Sequence, residues 1–214
     1  MSLVAFAATQ TVDVSEVTLL DYEDGGLFVV HAVASDLGGG ENLTLAAYTK
    51  VHQGADERLH STATISGTAS DPNVLTLGPV VSKESTSFTA VLNTGSADCP
   101  WWVESLGLAS SVEDGEGDLL ADATEQTLVE VLYPGLFLLL VDVAVMASGD
   151  DLKLRLKTRR GATWYTEKYV LLEDAQTNGI YALGPIDVPE AVRATLEQSA
   201  GTVETWPWAL VKLG

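Results

Sequence analysis

The feature that most constrains this chain is internal duplication. An offset of 109 residues lays DVSEVTLLDYEDGGLF (Asp13 to Phe28) over DATEQTLVEVLYPGLF (Asp122 to Phe137). Asp13, Glu16, Thr18, Leu19, Gly26, Leu27 and Phe28 recur as Asp122, Glu125, Thr127, Leu128, Gly135, Leu136 and Phe137. The same offset brings Leu43, Leu45 and Thr49 onto Leu152, Leu154 and Thr158. After small deletions, Leu77-Gly78-Pro79 meets Leu183-Gly184-Pro185, and WWVESLG (Trp101 to Gly107) meets WALVKLG (Trp208 to Gly214). Landmarks shared in order and spacing over a whole unit indicate tandem repetition. The expected organisation is an N-terminal arm or extra strand over 1–10, a first repeat over 11–107, an acidic Gly-rich linker over 108–119 and a second repeat over 120–214.

Each repeat reads as all-β. Short apolar runs are broken by Gly, Pro, Asn or Asp, which predicts seven short strands per unit. In the first unit they fall near 15–21, 26–34, 43–51, 58–66, 74–81, 87–93 and 101–106. In the second they fall near 124–132, 136–146, 151–158, 163–172, 179–187, 191–198 and 206–213. Such units close as β-sandwiches, jelly-roll-like or Ig-like. Alternation is clearest in LKLRLKTR: Leu152, Leu154 and Leu156 face one way, and Lys153, Arg155, Lys157 and Arg159 the other. PEAVRATLEQSAG begins with Pro and ends with Gly, as a short helix would. Its counterpart SFTAVLN is β-rich, so a strand is expected. Phe28, Phe137, Trp101 and Trp208 are expected in the cores.

Composition narrows function mainly by exclusion. Of 214 residues, 46% are hydrophobic and 19% charged, enough apolar surface for packed cores. The net charge of −19 opposes long-range attraction to nucleic-acid phosphates. No apolar run is long enough to cross a bilayer as a helix, and no targeting segment is recognised. Nucleic acid and membrane are therefore not expected partners. The single Cys99 cannot form an internal disulfide and reads as a small buried hydrophobe.

No chemistry stands out. His31 aligns with Leu140 and His52 with Gly161, so neither survives duplication. There is no zinc pattern, phosphate loop or G-x-S-x-G elbow. No catalytic, metal-binding or cofactor-binding residues are assigned, and no cofactor is expected. The recurring acids Asp13, Glu16, Asp122 and Glu125 read as turn-stabilising groups. Calcium at Asp150-Asp151, or at Glu113, Asp114, Glu116 and Asp118, lacks the spacing of a dedicated loop.

Two surface features belong to the second repeat. Eight of the eleven Lys and Arg lie there. The row Lys153, Arg155, Lys157 and Arg159 is a candidate protein-docking face, where the first repeat carries Thr44, Ala46, Tyr48 and Lys50. Trp164, Tyr165 and Tyr169 form a candidate glycan platform.

At TLVEVLYPGLFLLLVDV, DDLKLRLKTR and ATLEQSAGT followed by WPWAL, the chain resembles small β-sandwich virion proteins of tailed bacteriophages. The second repeat carries the pattern throughout; the first departs at NTGSADCPWW. The resemblance implies a non-enzymatic virion structural protein, a head decoration or accessory protein on the particle surface, made in the host cytoplasm. A major capsid protein or another virion protein would be its partner, with room for a homo-oligomer. The alternative is a carbohydrate- or receptor-binding module of a fibre or surface protein.

Overall fold

The computed structural model describes residues 3–67, 74–107 and 109–213, and the side chains of 6–67, 74–106 and 115–213. Every helix-or-strand element among them is a strand. The first unit holds β1 (Leu3–Val12), β2 (Val17–Tyr22), β3 (Gly26–Val33), β4 (Asn42–Thr49), β5 (Arg58–Ser66), β6 (Val74–Ser82), β7 (Thr86–Leu92) and β8 (Ala97–Gly107). The second holds β9 (Ala109–Leu120), β10 (Gln126–Val131), β11 (Gly135–Asp142), β12 (Asp151–Arg160), β13 (Thr163–Glu173), β14 (Ile180–Val188), β15 (Val192–Ala200) and β16 (Thr205–Leu213). The stretch Lys50–Arg58 clusters with the second unit.

Each unit is a pair of four-stranded sheets. The first has the orders β1-β8-β3-β6 and β2-β7-β4-β5. The second repeats them as β9-β16-β11-β14 and β10-β15-β12-β13. Eight strands in two such sheets make a jelly roll, and resolve the choice against an Ig-like arrangement. All seven strands expected in each repeat are present, including β15, the segment with helix-like ends. β11 stops at Asp142, short of the expected Met146.

An eighth strand completes each unit. The N-terminal residues, read as an arm or extra strand, form β1 from Leu3 and pair with β8 from Leu3↔Ser105 to Val12↔Ala97. Residues 1 and 2 of that segment lie outside the described residues. The expected linker 108–119 needs correction: apart from Leu108, also outside, it is β9, paired with β16 from Ala109↔Leu213 to Leu120↔Thr205. Gly and acids are poor strand formers by propensity. An edge strand, however, is held by its backbone hydrogen bonds to one neighbour, which any non-proline residue supplies.

The cores lie between the paired sheets. In the first, Phe28, Phe88, Leu43, Leu45, Trp101 and Val103 pack together, and Phe28 meets Tyr22 and Phe88 edge-on at 5.5 and 6.3 Å. In the second, Phe137, Leu139, Leu152, Leu154, Leu156, Trp206 and Trp208 do so. The expected core plugs Phe28, Phe137, Trp101 and Trp208 are all buried. Burying Leu152, Leu154 and Leu156 contributes about 5–8 kcal/mol before entropy. Cys99 is buried, and burial, helped by Asp36 and Asp98, pushes its thiol up from the usual range.

The repeats share their irregularities as well as their strands. Val29 faces both Gly78 and Pro79, because Phe28 pairs with Val80 and Val30 with Leu77. Leu138 faces Gly184 and Pro185 in the same way. Gly78 and Gly184 have φ of 134° and 129°. A Cβ would lie 2.9 Å from the Phe28 carbonyl oxygen at one, and 3.0 Å from that of Phe137 at the other. Glycine takes this conformation, and proline tolerates a bulge position where no ladder N–H is required.

Candidate functional site

The cationic row predicted on β12 lies on the outer face of the sheet β10-β15-β12-β13. Leu152, Leu154, Leu156 and Thr158 are buried, and Lys153, Arg155, Lys157 and Arg159 between them are half-buried. The cations meet carboxylates of their own unit. Lys153 Nζ is 2.8 Å from Glu197 Oε1, and Arg155 Nη2 is 3.0 Å from Glu197 Oε2. Lys157 pairs with Glu125, which also accepts from Thr195 Oγ1 at 2.6 Å. Arg155 Nη1 is 3.8 Å from Glu125 and Arg159 Nε is 3.9 Å from Glu190. Arg193, beside Lys157 on β15, donates to Glu130 at 2.6 and 3.0 Å.

Five cations thus alternate with Glu125, Glu130, Glu190 and Glu197. The carboxylates tune to their partners. The hydrogen bond from Lys153, then that from Arg155, holds Glu197 below the usual carboxylate range, against burial. Burial pushes Glu125 up, but hydrogen bonds from Lys157 and Thr195 and the charges of Lys157 and Arg155 together hold it low. The face is therefore nearly charge-balanced on a chain of net charge −19.

Two of the three platform aromatics join this face. Lys157 pairs with Thr166 and Leu156 with Lys168, leaving Glu167 as a bulge in β13. The bulge reverses the alternation, so Trp164 and Tyr169 both stand on the outer face. Trp164 lies 4.2 Å under the Arg193 guanidinium and 6.0 Å from that of Arg159; Tyr169 lies 5.5 Å from that of Arg155. Tyr165, opposite Thr158, takes the other face and is not brought to them. Arg155 Nη1 and Arg159 Nε are shielded from solvent and donate no hydrogen bond. The arrangement has planar rings and fixed guanidinium groups, which suit recognition of a surface or a polar ligand.

The carboxylates and Arg193 were the parts that sequence reasoning missed. The one available signal was Glu125, which recurs as Glu16. In the first unit Glu16 accepts from Tyr48 OH at 2.8 Å and Thr89 Oγ1 at 2.5 Å. Tyr48 and Lys157 are equivalent positions, so the same acid holds the same neighbours in both repeats. Asp13 and Asp122 cap turn amides, accepting from Ser15 N at 2.7 Å and Thr124 N at 2.8 Å.

A second aromatic feature lies on the outer face of β1-β8-β3-β6. Trp102 stacks on His31 with ring centroids 4.7 Å apart, and His31 Nδ1 lies 2.9 Å from Thr76 Oγ1. Trp102 and Pro100 wall a shallow groove floored by Ala7 and Thr9. Among the described residues, no cluster of three His, Cys, Asp or Glu is disposed to hold a metal ion. Asp150 is spent on the backbone, its two oxygens accepting from Ala147 N at 2.7 Å and Thr202 N at 3.2 Å. The side chains of Glu113 and Asp114 lie outside the description. Among the described residues no helix is long and apolar enough to cross a membrane.

Fold and face together define a tandem β-sandwich protein with a charge-balanced polar surface. No protein-family model matches the chain, and no curated protein does. Among solved structures, VP2 of infectious bursal disease virus, as a subviral particle, aligns over 91% of this chain and 58% of its own, at 12% identity and TM-score 0.31. The T=1 particles derived from that virus align over 91% and 56%, at 13% identity and TM-score 0.27. The CBM22-1–CBM22-2 tandem domain of Paenibacillus barcinonensis Xyn10C aligns over 97% and 86%, at 8% identity and TM-score 0.28. The chain thus spans a little over half the length of the virus proteins. At these scores the likeness establishes neither family nor function.

Proposed function

We propose that the chain is a non-enzymatic virion structural protein, a capsid decoration or accessory protein that seats on the outer shell. The supporting observation is the outer face of β10-β15-β12-β13. It is nearly balanced in charge where the chain as a whole is strongly acidic, so a protein surface approaches it without general repulsion. Its side chains are already fixed by ion pairs and stacking, so docking orders little that was free. Trp164 and Tyr169 supply large, stiff contact area at its rim. The virion-protein resemblance of the second repeat, which carries this face, points the same way.

On this proposal a phage encodes the chain, and the test uses particles of that phage. Mass spectrometry of purified particles should detect it in fixed stoichiometry. Particles lacking it should rebind the wild-type chain, and rebind a Trp164→Ala/Tyr169→Ala variant at least tenfold more weakly with unchanged melting temperature. Absence from purified particles would defeat the proposal.

Glycan binding is a second reading. Two rings on one face, Trp164 and Tyr169, held beside the guanidinium groups of Arg159 and Arg155, favour it. Binding on a glycan array that is lost in Trp164→Ala would select it.

A further inference from the structure

β13 is the outermost strand of its sheet, with one edge unpaired within its unit. It runs for eleven residues, and only Leu172 among them is buried. Tyr165 and Tyr169 are each about half exposed, at 50% and 51%. The equivalent strand β5 is half-buried over its first four residues. A long exposed edge offers a row of backbone donors and acceptors to another strand.

The centre of β13 carries two adjacent, opposite charges, Glu167 and Lys168, and Glu167 is the bulged residue. Beyond the bulge the alternation is reversed. Trp164, Thr166, Tyr169 and Leu171 therefore share the outer face, and Thr163, Tyr165, Lys168, Val170 and Leu172 the inner one.

Consider a second copy laid antiparallel along this edge, related by a two-fold axis perpendicular to the sheet. Residues that meet must then lie on the same face. Putting Glu167 of each copy opposite Lys168 of the other satisfies this along the whole strand. Trp164 then meets Leu171, Thr166 meets Tyr169, and Tyr165 meets Val170. A slip of one residue sets Glu167 against Glu167, or Lys168 against Lys168, and places outer residues against inner ones. A slip of two separates the opposite charges in either direction, and in one of them also sets Lys168 of the inner face against Tyr169 of the outer. Charge and alternation select one register. Within its own chain Glu167 lies 3.5 Å from Arg160 Nη2, so its carboxylate would sit between two cations.

We propose that β13 pairs with β13 of a second copy in this register, joining two four-stranded sheets into one. The pairing shares Trp164 and Tyr169 with the rim of the docking face proposed above, but it is made by the strand edge and is tested on the free chain without particles. Edge pairing alone is a small contact, so association is weak in solution and favoured where copies are crowded.

Sedimentation equilibrium of the full chain, from about 1 to about 500 µM, should show a monomer–dimer equilibrium. Glu167→Lys and Lys168→Glu should each weaken it at least tenfold at low salt. The combined exchange should restore it to within a factor of about three, since charge complementarity returns in mirror form. Mild oxidation of Thr166→Cys/Tyr169→Cys should give a disulfide-linked dimer, with Cα atoms opposite one another in the required range. Either single cysteine should give no disulfide-linked dimer. Melting curves matching wild type would certify each variant as folded. A chain monomeric over the whole range, an exchange that fails to restore association, or a double-cysteine variant that does not cross-link would overturn the proposal. So would a monomeric chain whose β13 edge is shown to bind a different protein.

Discussion

Glu125 carries more of the second unit than its place in a short connection suggests. It binds Lys157 and Thr195 and lies near Arg155, tying β12 and β15 to the connection that leads into β10. Glu125→Gln should lower stability at neutral pH by about 1–2 kcal/mol, between the values for exposed and buried pairs. The sign with pH follows from its depressed pKa. The contribution is present above the ordinary carboxylate value and is lost as pH falls through the lower folded one. Melting temperature against pH should therefore fall below about pH 4.5, less steeply in the variant. His60 gives a second acid response in a higher window. Burial pulls its imidazole down to about 4, and its Nε2 is buried without a hydrogen-bond partner. The unfolded chain binds the proton first, so stability is full above about pH 6.5 and declines toward pH 4, by at most about 3 kcal/mol. His60→Gln should flatten the melting curve across that window; an unchanged slope would show that another group is responsible.

At the scale of elements, the Gly-Pro bulges are the most exacting positions. Gly78→Ala and Gly184→Ala each force a side chain into φ near 130° and against a carbonyl oxygen about 3 Å away. Each should cost about 1–3 kcal/mol, measured by urea denaturation with an unchanged slope. These bulges were half legible: Leu-Gly-Pro stood out as recurring, but its role as two residues facing one needs the partner strand. The strands themselves were legible because one face of each is apolar, as at Leu152, Leu154 and Leu156. β9 was hidden because its Gly and acid composition mimics a linker. The bulge in β13 was hidden too, so Trp164, Tyr165 and Tyr169 read as one platform when it unites the first and last and turns Tyr165 away. The ion-pair ladder was out of reach for a different reason. Glu197 stands 44 residues from Lys153 in sequence, and only the register of β12 against β15 brings them together.

For the whole molecule, the position of β9 sets where a unit can be cut. β9 covers the edge of β16 along its length, and Leu119 and Ala121 pack on the second core. A fragment of residues 109–214 should melt cooperatively by circular dichroism. One starting at 120, the boundary suggested by composition, should melt several degrees lower or aggregate through the bared edge. Equal melting of the two would show that β9 adds nothing. The first and last strands of each unit are neighbours: Leu3 sits opposite Ser105, and Ala109 opposite Leu213. The chain thus leaves a unit at the same end of the sandwich by which it entered, and one residue separates β8 from β9. A unit whose entrance and exit adjoin behaves as a cassette. Unequal crossing-over in the gene could copy it in series without inventing a hinge, and a further copy could be spliced at the same junction without disturbing the folds on either side.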